Sequence, residues 1–267
     1  MPAASNSECA IEVRNLDAHY GERQILKNIS LDIRPGEIMV IMGGSGSGKS
    51  TLLRHLLGLN TPTRGSITLL GKDITKSSEQ EIFELRKKMG VAFQGGALFG
   101  SMTVEENVVL PLYEHTELDE NTMRIMGRMK LEVVNLAGFE HLRPSDLSGG
   151  MIKRTALARA IVMDPRLLFF DEPSAGLDPV AAVELDELIL RLRQVMNITI
   201  VVVTHELESA FKIADRITVL DQGVILMTDT VEAVRNSDNP RIQSLLNRLP
   251  RDDAIDADEY MERLTGI

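Results

Sequence analysis

The residues best suited to chemistry lie in three short segments, and each segment follows an apolar run of strand length within one residue. Residues 43–50 are rich in glycine, Asp171 and Glu172 form a carboxylate pair, and His205 supplies an imidazole. The preceding runs are almost wholly apolar, a pattern typical of strands buried on both faces of a parallel sheet. Because the carboxyl ends of such strands meet at one edge, we expect the three segments to lie together. The runs are residues 38–42, 167–170 and 198–203.

The glycine-rich segment predicts a phosphate-binding loop. It fits the pattern G-x-x-x-x-G-K-[ST], with a buried strand before it and a leucine-faced helix, ended by Gly58, after it. Glycines let backbone N–H groups turn inward around a polyphosphate, and the helix N-terminus adds partial positive charge. We expect Lys49 to bridge the β- and γ-phosphates and Ser50 to ligate Mg²⁺. A chance glycine turn is the alternative, disfavoured by the order of strand, loop, Lys-Ser pair and helix. The predicted nucleotide-binding residues here are Gly43, Gly44, Ser45, Gly46, Ser47, Gly48, Lys49, Ser50 and Thr51.

The carboxylate pair and the histidine suit metal binding and water activation. Asp171 is expected to hold Mg²⁺ through water, because magnesium keeps much of its hydration shell. Glu172 can then polarise the attacking water as a general base. His205 could bond the γ-phosphate and hold that water with Glu172. The alternatives are an acidic N-cap, since Pro173 follows, and a structural histidine at a strand end.

The order of elements predicts an α/β fold. Residues 11–19 and 24–33 alternate apolar and polar positions, which predicts two antiparallel strands joined by a turn at Gly21 and Glu22. From about residue 104 to 144, strand-like runs give way to apolar residues at helical spacing, which indicates an inserted helical subdomain. A helix over about 150–163 and further strands follow, so the core is expected to be a parallel sheet with crossover helices.

The C-terminal part of the chain leaves this alternation. After Pro240, apolar residues recur at i, i+3, i+4 and i+7, which predicts an amphipathic helix closed by Pro250. These residues are Ile242, Leu245, Leu246 and Leu249.

Composition and charge restrict the class further. The 267 residues are 43% hydrophobic and 25% charged, an ordinary globular balance. No apolar run approaches the ~18 residues of a bilayer span, and residues 1–10 lack the features of a signal peptide. One cysteine, Cys9, excludes an internal disulfide and suits a reducing compartment, so we expect a cytosolic protein. The formal net charge of −10 argues against a nucleic-acid backbone as main ligand.

These residues together resemble the ATP-binding cassette (ABC) ATPases. Residues 147–151, Leu-Ser-Gly-Gly-Met, look like the family signature L-S-G-G-Q. Gln94 matches the Q-loop glutamine that reaches Mg²⁺, Tyr20 matches the aromatic residue that stacks on adenine, and residues 174–178 match the D-loop. His205 matches the switch histidine. The resemblance implies a P-loop cassette with an N-terminal antiparallel β-subdomain, a RecA-like core and an inserted helical subdomain.

The resemblance also implies a homodimer that binds ATP and Mg²⁺. Two cassettes pair head to tail, and the signature residues Ser148, Gly149 and Gly150 of one chain cap the ATP held by the other chain's loop. The signature is expected at a helix N-terminus, a second anion site. Met151 departs from the family's usual Gln, and activity is expected to survive because backbone N–H groups and Ser148 make the contact. The expected ATPase domain covers residues 9–247, with a helical subdomain at about 104–162 and a C-terminal extension at 248–267.

Several shorter motifs resemble the ATPase subunits of Mla-type transporters, which act on lipids in Gram-negative envelopes. They are residues 93–99, 107–108, 111–112, 114–116 and 147–151. The implied partners are an MlaE-like permease, an MlaD-like MCE-domain protein and an MlaB-like STAS-domain subunit, and the implied location is peripheral, at the cytoplasmic face of the inner membrane. A polar-solute importer is the alternative. A soluble ABC ATPase acting on nucleic acid or ribosomes is remote, because such proteins usually carry tandem cassettes or basic patches.

Replacing Glu172 by glutamine is expected to stop turnover and leave ATP binding intact, because an amide cannot accept the proton of the attacking water. ATP that is bound but not hydrolysed then keeps two chains associated as a dimer. Size-exclusion chromatography with ATP should show a stable dimer of the variant. A variant that still hydrolyses ATP would remove Glu172 from this role.

Overall fold

The computed structural model describes residues 9–249 and contains two β-sheets. The first is antiparallel, with strand order β2-β1-β4-β5. The second has order β10-β9-β3-β8-β7-β6 and is parallel except for its edge strand β10. The strands within these residues are Ile11–Tyr20 (β1), Arg23–Ile33 (β2), Ile38–Met42 (β3), Arg64–Leu69 (β4), Lys72–Asp73 (β5), Met89–Ala92 (β6), Leu167–Asp171 (β7), Thr199–Thr204 (β8), Arg216–Asp221 (β9) and Val224–Thr230 (β10).

Helices connect the strands, and in the chain segment that runs from β6 to β7 they form a layer of their own. The longest of them, α6, has 18 residues. No helix within residues 9–249 combines the length and apolar character needed to cross a membrane. The helices of that range are Lys49–Leu56 (α1), Glu79–Arg86 (α2), Val104–His115 (α3), Glu120–Val133 (α4), Gly149–Ile161 (α5), Pro179–Met196 (α6), Leu207–Ile213 (α7), Val231–Arg235 (α8) and Pro240–Leu246 (α9), with a single 3-10 turn at Pro144–Asp146.

The strands of the parallel sheet contribute side chains to two hydrophobic cores, one on each face. In β3, Val40 packs into the core shared with α5 and α6, whereas Met39 and Ile41 pack into the core shared with the antiparallel sheet and α1. All five residues of β3 are fully buried. Two-sided burial explains why this strand reads as an uninterrupted apolar run, and it confirms the prediction of a buried parallel strand.

The antiparallel sheet confirms the prediction from the N-terminal alternation. The observed strands, β1 and β2, extend the predicted ones by one residue at Tyr20 and one at Arg23. They meet at a two-residue turn in which Gly21 has φ +59°. The chain passes from this sheet into β3 and then α1, and α1 contacts β2, β4 and β8. The first helix after the glycine-rich segment is therefore held between both sheets.

The helical subdomain contains α3, α4 and α5, which contact one another. Between residues 104 and 144 the chain forms no strand, as the sequence predicts. One buried side chain, Asn107, joins α3 to the loop before it. Its Nδ2 group donates to the carbonyl oxygens of Phe99 at 3.1 Å and Thr103 at 2.9 Å, and its Oδ1 atom accepts from the Phe99 N–H group at 2.8 Å. The Asn107 amide therefore fixes the loop over residues 99–103 to the first turns of α3.

The C-terminal helix differs from the prediction at its end. Helix α9 stops at Leu246, Ile242 is buried, and Leu245 and Leu246 pack against the core. Leu249 lies beyond the helix and is 59% exposed, so its assignment to the apolar stripe is wrong. Arg248 has φ +53°, a left-handed conformation that leaves the helical path, so Leu249 does not occupy the fourth position of the predicted apolar stripe. The boundary at 247 stays a prediction, and residues 250–267 of the predicted extension lie outside the described residues.

Replacing Asn107 by alanine is expected to lower the free energy of unfolding by about 2–3 kcal/mol, because buried backbone groups lose their partners. Urea unfolding measures the change. The matched control is Asn121→Ala, at an exposed position in α4, which should change stability by less than about 0.5 kcal/mol. Equal stability of the two variants would contradict the role of Asn107.

Candidate functional site

The phosphate-loop segment lies between the end of β3 and the first turn of α1, as predicted. A Cβ atom on Gly43 would lie 2.1 Å from the Leu220 carbonyl oxygen, so the loop packs directly on the end of β9. Gly46 and Gly48 have φ values of +71° and +105°, which side chains rarely tolerate. Helix α1 has no side-chain cap and no acidic residue in its first turn. Its first N–H groups therefore suit an anion, as ATP requires.

Lys49 folds back over the loop. Its ammonium group donates to the carbonyl oxygens of Gly43 at 2.8 Å and Gly44 at 3.0 Å, and the side chain is largely buried. Burial lowers the pKa of Lys49, while the carboxylates of Glu172 and Asp171 act in the opposite direction. The loop lysine and the carboxylate pair therefore lie within electrostatic reach of one another. Ser50 is exposed and Thr51 is partly buried at the same helix start.

The Glu172 carboxylate is oriented by groups from the end of β8. Its Oε2 atom accepts from the Thr204 hydroxyl at 3.2 Å and from the His205 backbone N–H at 3.3 Å. The Nδ1 atom of His205 lies 2.8 Å from the same oxygen, so an N–H group at Nδ1 can donate to it. The structure thus brings the glutamate and the histidine together at the sheet edge, and their joint hold on a water stays a prediction.

The backbone of Glu172 is held in a left-handed conformation with φ +49°. Such a conformation costs about 1 kcal/mol or more for a residue with a side chain, and strained residues of this kind cluster at functional sites. The Glu172 N–H group donates to the Val203 carbonyl oxygen at 2.8 Å. The turn redirects the side chain at the sheet edge, and Asp178, seven residues after Asp171, is the N-cap of the next helix. The alternative reading of the carboxylate pair as that cap is therefore wrong.

Asp171 ends β7 at the same sheet edge. Burial raises its pKa, and the neighbouring Glu172 carboxylate raises it further, while Arg54, Lys49 and Lys153 lower it. A divalent cation at this edge would relieve the repulsion between the carboxylates. The predicted metal ligands Ser50, Gln94 and Asp171 offer oxygen atoms only, the donor set that Mg²⁺ prefers. Among residues 9–249 no group of three His, Cys, Asp or Glu side chains suits another metal.

The remaining predicted residues lie in different elements. Gln94 is exposed in the loop that follows β6. Tyr20 ends β1 with a half-exposed ring, and its hydroxyl accepts from Asn60 at 3.0 Å. Ser148 is the N-cap of α5, where its hydroxyl accepts from the Met151 N–H group. Cβ atoms on Gly149 and Gly150 would lie 3.7 Å and 3.8 Å from Leu177 and Ala181, so the signature segment lies beside the D-loop segment and the start of α6.

Three side chains at the site were not found from the sequence. Thr204 donates to the glutamate as described above. Lys153 donates to the Gln94 carbonyl oxygen and, at 3.2 Å, to the Glu172 carbonyl oxygen. Arg159 donates to the carbonyl oxygens of residues 96 and 97. Local sequence spacing does not show which side chains of a helix reach a distant loop. The one available signal for Lys153 was its position two residues after the signature segment.

The fold and the site define a cassette ATPase, and the chain belongs to the ABC transporter ATP-binding family, whose model matches residues 26–175. It is an enzyme that hydrolyses ATP in support of transport. The likeness extends to a dimeric ATP-binding cassette solved in a post-hydrolysis state with ADP and Pi. That structure matches with a TM-score of 0.76 and 31% identity, over 83% of this chain and 98% of that chain.

Two groups of relatives are similar to this chain to almost the same degree. It is 43% identical to the intermembrane phospholipid transport system ATP-binding protein MlaF of Haemophilus influenzae, over 88% of this chain and 89% of that protein. It is 42% identical to the probable ribonucleotide transport ATP-binding protein mkl of Mycobacterium leprae, over 89% of this chain and 69% of that protein.

Replacing Thr204 by valine keeps the shape of the side chain but removes the donor to Glu172. We expect kcat for ATP hydrolysis to fall about tenfold, corresponding to ~1.5 kcal/mol for a hydrogen bond to a charged group. A coupled-enzyme ATPase assay measures it. The control is Thr228→Val in β10, which removes a hydroxyl that is hydrogen-bonded to the Thr218 hydroxyl in β9. If both variants kept the same kcat, Thr204 would have no part in orienting the glutamate.

Proposed function

We propose that two copies of this chain bind two ATP molecules at a shared seam and drive a membrane permease between two conformations. Residues 43–51 hold the phosphates, and Tyr20 stacks on the adenine ring. The proposal is supported by the open N-terminus of α1 and by the glycines at which a Cβ atom would clash or be strained. The γ-phosphate draws Lys49 away from its two loop carbonyls, since a phosphate is the stronger acceptor.

Glu172 acts as the general base, and His205 holds it and the water in line. This role is supported by the three donors that converge on one carboxylate oxygen, because they leave the other oxygen for the water. Ser50, Asp171 and Gln94 hold Mg²⁺, which when bound neutralises the charge of the β- and γ-phosphates. Asp171 is suited to this position because the charge of a cation lowers the cost of its burial.

The seam closes when the signature helix of the partner chain reaches the γ-phosphate. Ser148, Gly149 and Gly150 stand at the N-terminus of α5, where no acidic residue occupies the first turn. A helix start of this kind attracts an anion. The closed state is favoured only while the triphosphate is intact, so hydrolysis lets the seam reopen and the bound permease change state.

Phospholipid is the cargo that we propose. The observation that supports this choice is the likeness of residues 93–99, 107–108, 111–112, 114–116 and 147–151 to the Mla-type motifs, beside 43% identity to a relative named for phospholipid transport. Ribonucleotide or another polar solute is the alternative cargo.

The partners follow from this proposal. The ATPase works at the cytoplasmic face of the inner membrane with an MlaE-like permease, an MlaD-like MCE-domain protein and an MlaB-like STAS-domain subunit. The exposed aromatic rings of Phe93 and Phe99, on the loop after β6, offer an apolar surface for the permease. The C-terminal extension over residues 248–267 is proposed to contact the neighbouring ATPase, the STAS subunit or both.

Purification of the tagged chain from detergent-solubilised membranes tests the cargo. We expect an MCE-domain protein and an integral membrane permease to copurify, with phospholipid detected by mass spectrometry of the extract. A sample prepared from membranes that carry Lys49→Ala controls for adventitious lipid, and it should keep the partners. A periplasmic solute receptor in place of the MCE-domain protein would overturn the lipid assignment, and recovery without any integral membrane protein would overturn the transporter role itself.

A further inference from the structure

Helix α5 sends a lysine into the active site of its own chain. The Nζ atom of Lys153 donates to the carbonyl oxygens of Gln94 and Glu172, so it bridges the loop after β6 and the end of β7. These two residues come from segments 78 positions apart (172 − 94). The same helix begins at Ser148, five residues earlier, with the signature segment.

A second cation of α5 holds the same loop. Arg159 donates to the carbonyl oxygens of Gly96 at 2.8 Å and Ala97 at 2.9 Å. A Cβ atom on Gly96 would lie only 2.7 Å from the Ile152 side chain, so the loop lies directly on the helix. The loop therefore follows α5 as one body, and Lys153 extends this attachment to Glu172.

The bridge meets Glu172 where its backbone is strained. The residue has φ +49°, its N–H group is bonded to Val203 of β8, and its carbonyl oxygen is bonded to Lys153. A left-handed residue persists only when its surroundings over-determine it. The two bonds fix both peptide groups around Glu172, and thus the direction in which its side chain leaves the chain.

The charge of Lys153 also suits this place. The side chain is partly buried, and burial lowers its pKa, while the carboxylates of Glu172 and Asp171 act to raise it. The ammonium group thus adds a positive charge close to two acids that repel each other. A neutral side chain would remove the donor to the Gln94 carbonyl oxygen, leave the Glu172 carbonyl oxygen with only the Ala175 N–H group at 3.3 Å, and leave the acids with less compensation.

We propose that Lys153 is a positioning residue that ties the signature helix of each chain to the catalytic glutamate and the Q-loop of the same chain. The proposal rests on the dimer described under the proposed function. In that dimer the N-terminus of α5 caps the partner's ATP, while Lys153, little more than one turn further along, holds its own chain's site. A shift of α5 at one ATP is therefore passed to the glutamate that serves the other ATP.

The consequence is cooperativity between the two ATP sites. When one signature helix leaves its phosphate after hydrolysis, the bridge moves Glu172 and Gln94 of that chain out of line. The second ATP is then hydrolysed only after the seam forms again. Without the bridge the two sites would be coupled only through closure of the seam, and the glutamate would lose one of the hydrogen bonds to its backbone.

The test compares Lys153→Met with Lys153→Arg and with Lys130→Met. Methionine keeps the length of the side chain without its donors, and arginine keeps the charge and donors. Lys130 lies in α4 and pairs with Asp164 at 2.5 Å, so its replacement controls for the loss of a lysine in the helical subdomain. ATP affinity is measured with a fluorescent ATP analogue, and kcat and the Hill coefficient are measured from hydrolysis against ATP concentration.

We expect Lys153→Met to lower kcat about ten- to hundredfold, as small misplacements of catalytic groups do. Its nucleotide Kd should change less than twofold, and its Hill coefficient should fall below that of the wild type. Lys153→Arg should keep most of the wild-type kcat and most of the wild-type Hill coefficient, and Lys130→Met should match the wild type in both. A Lys153→Met variant with wild-type kcat and Hill coefficient would overturn the proposal, as would a folded Lys153→Arg variant as inactive as the methionine one, or a wild-type Hill coefficient of 1.

Failure of the proposed function gives a different result. Lys49→Ala and Glu172→Gln are run beside these variants, and both must abolish hydrolysis if the site is as described. If they hydrolyse ATP normally, the catalytic assignments fall and the bridge falls with them. If they are inactive and Lys153→Met is normal, only the bridge falls.

Discussion

The parallel pairing of β3, β7 and β8 is the constraint on which the site depends. Met42 is paired with Thr204, and Asp171 is paired with Val203, so the three strands end at almost the same level. The phosphate loop, the carboxylate pair and the histidine are therefore delivered to one edge by backbone hydrogen bonds. Side-chain contacts then set only the final positions of the functional groups. Hydrogen-bond donors orient the Glu172 carboxylate, and Lys49 donates to carbonyl oxygens of its own loop.

The sequence was sufficient for the parts that depend on strand ends. Buried strands are apolar throughout, so the sites at residues 43–50, 171–172 and 205 could be predicted from the runs before them. The N-terminal sheet was recognisable from its alternation of apolar and polar residues. The helical subdomain was recognisable because strand-like runs give way to apolar residues at helical spacing. The prediction was wrong at Leu249, because periodicity extends a helix that the backbone at Arg248 ends.

The contacts that join separate elements could not be predicted in this way. Thr204 looks like a strand residue, and Lys153 looks like one polar position on an amphipathic helix. Their roles arise from the approach of α5 and β8 to the end of β7, which only the folded chain defines. The left-handed backbone of Glu172 belongs to the same class, because its hydrogen bonds to Val203 and Lys153 join it to distant elements.

The complete burial of β3 also bears on how far this sequence can vary. Each of its five side chains is enclosed by one core or the other, so neither face can accept a polar residue without leaving it unsatisfied. An added methylene would push the phosphate loop, since Gly43 already touches the backbone of β9. Drift in this strand is therefore confined to exchanges among apolar residues of similar volume, whereas the exposed side chains of Phe93 and Phe99 in the loop after β6 have no such packing limit.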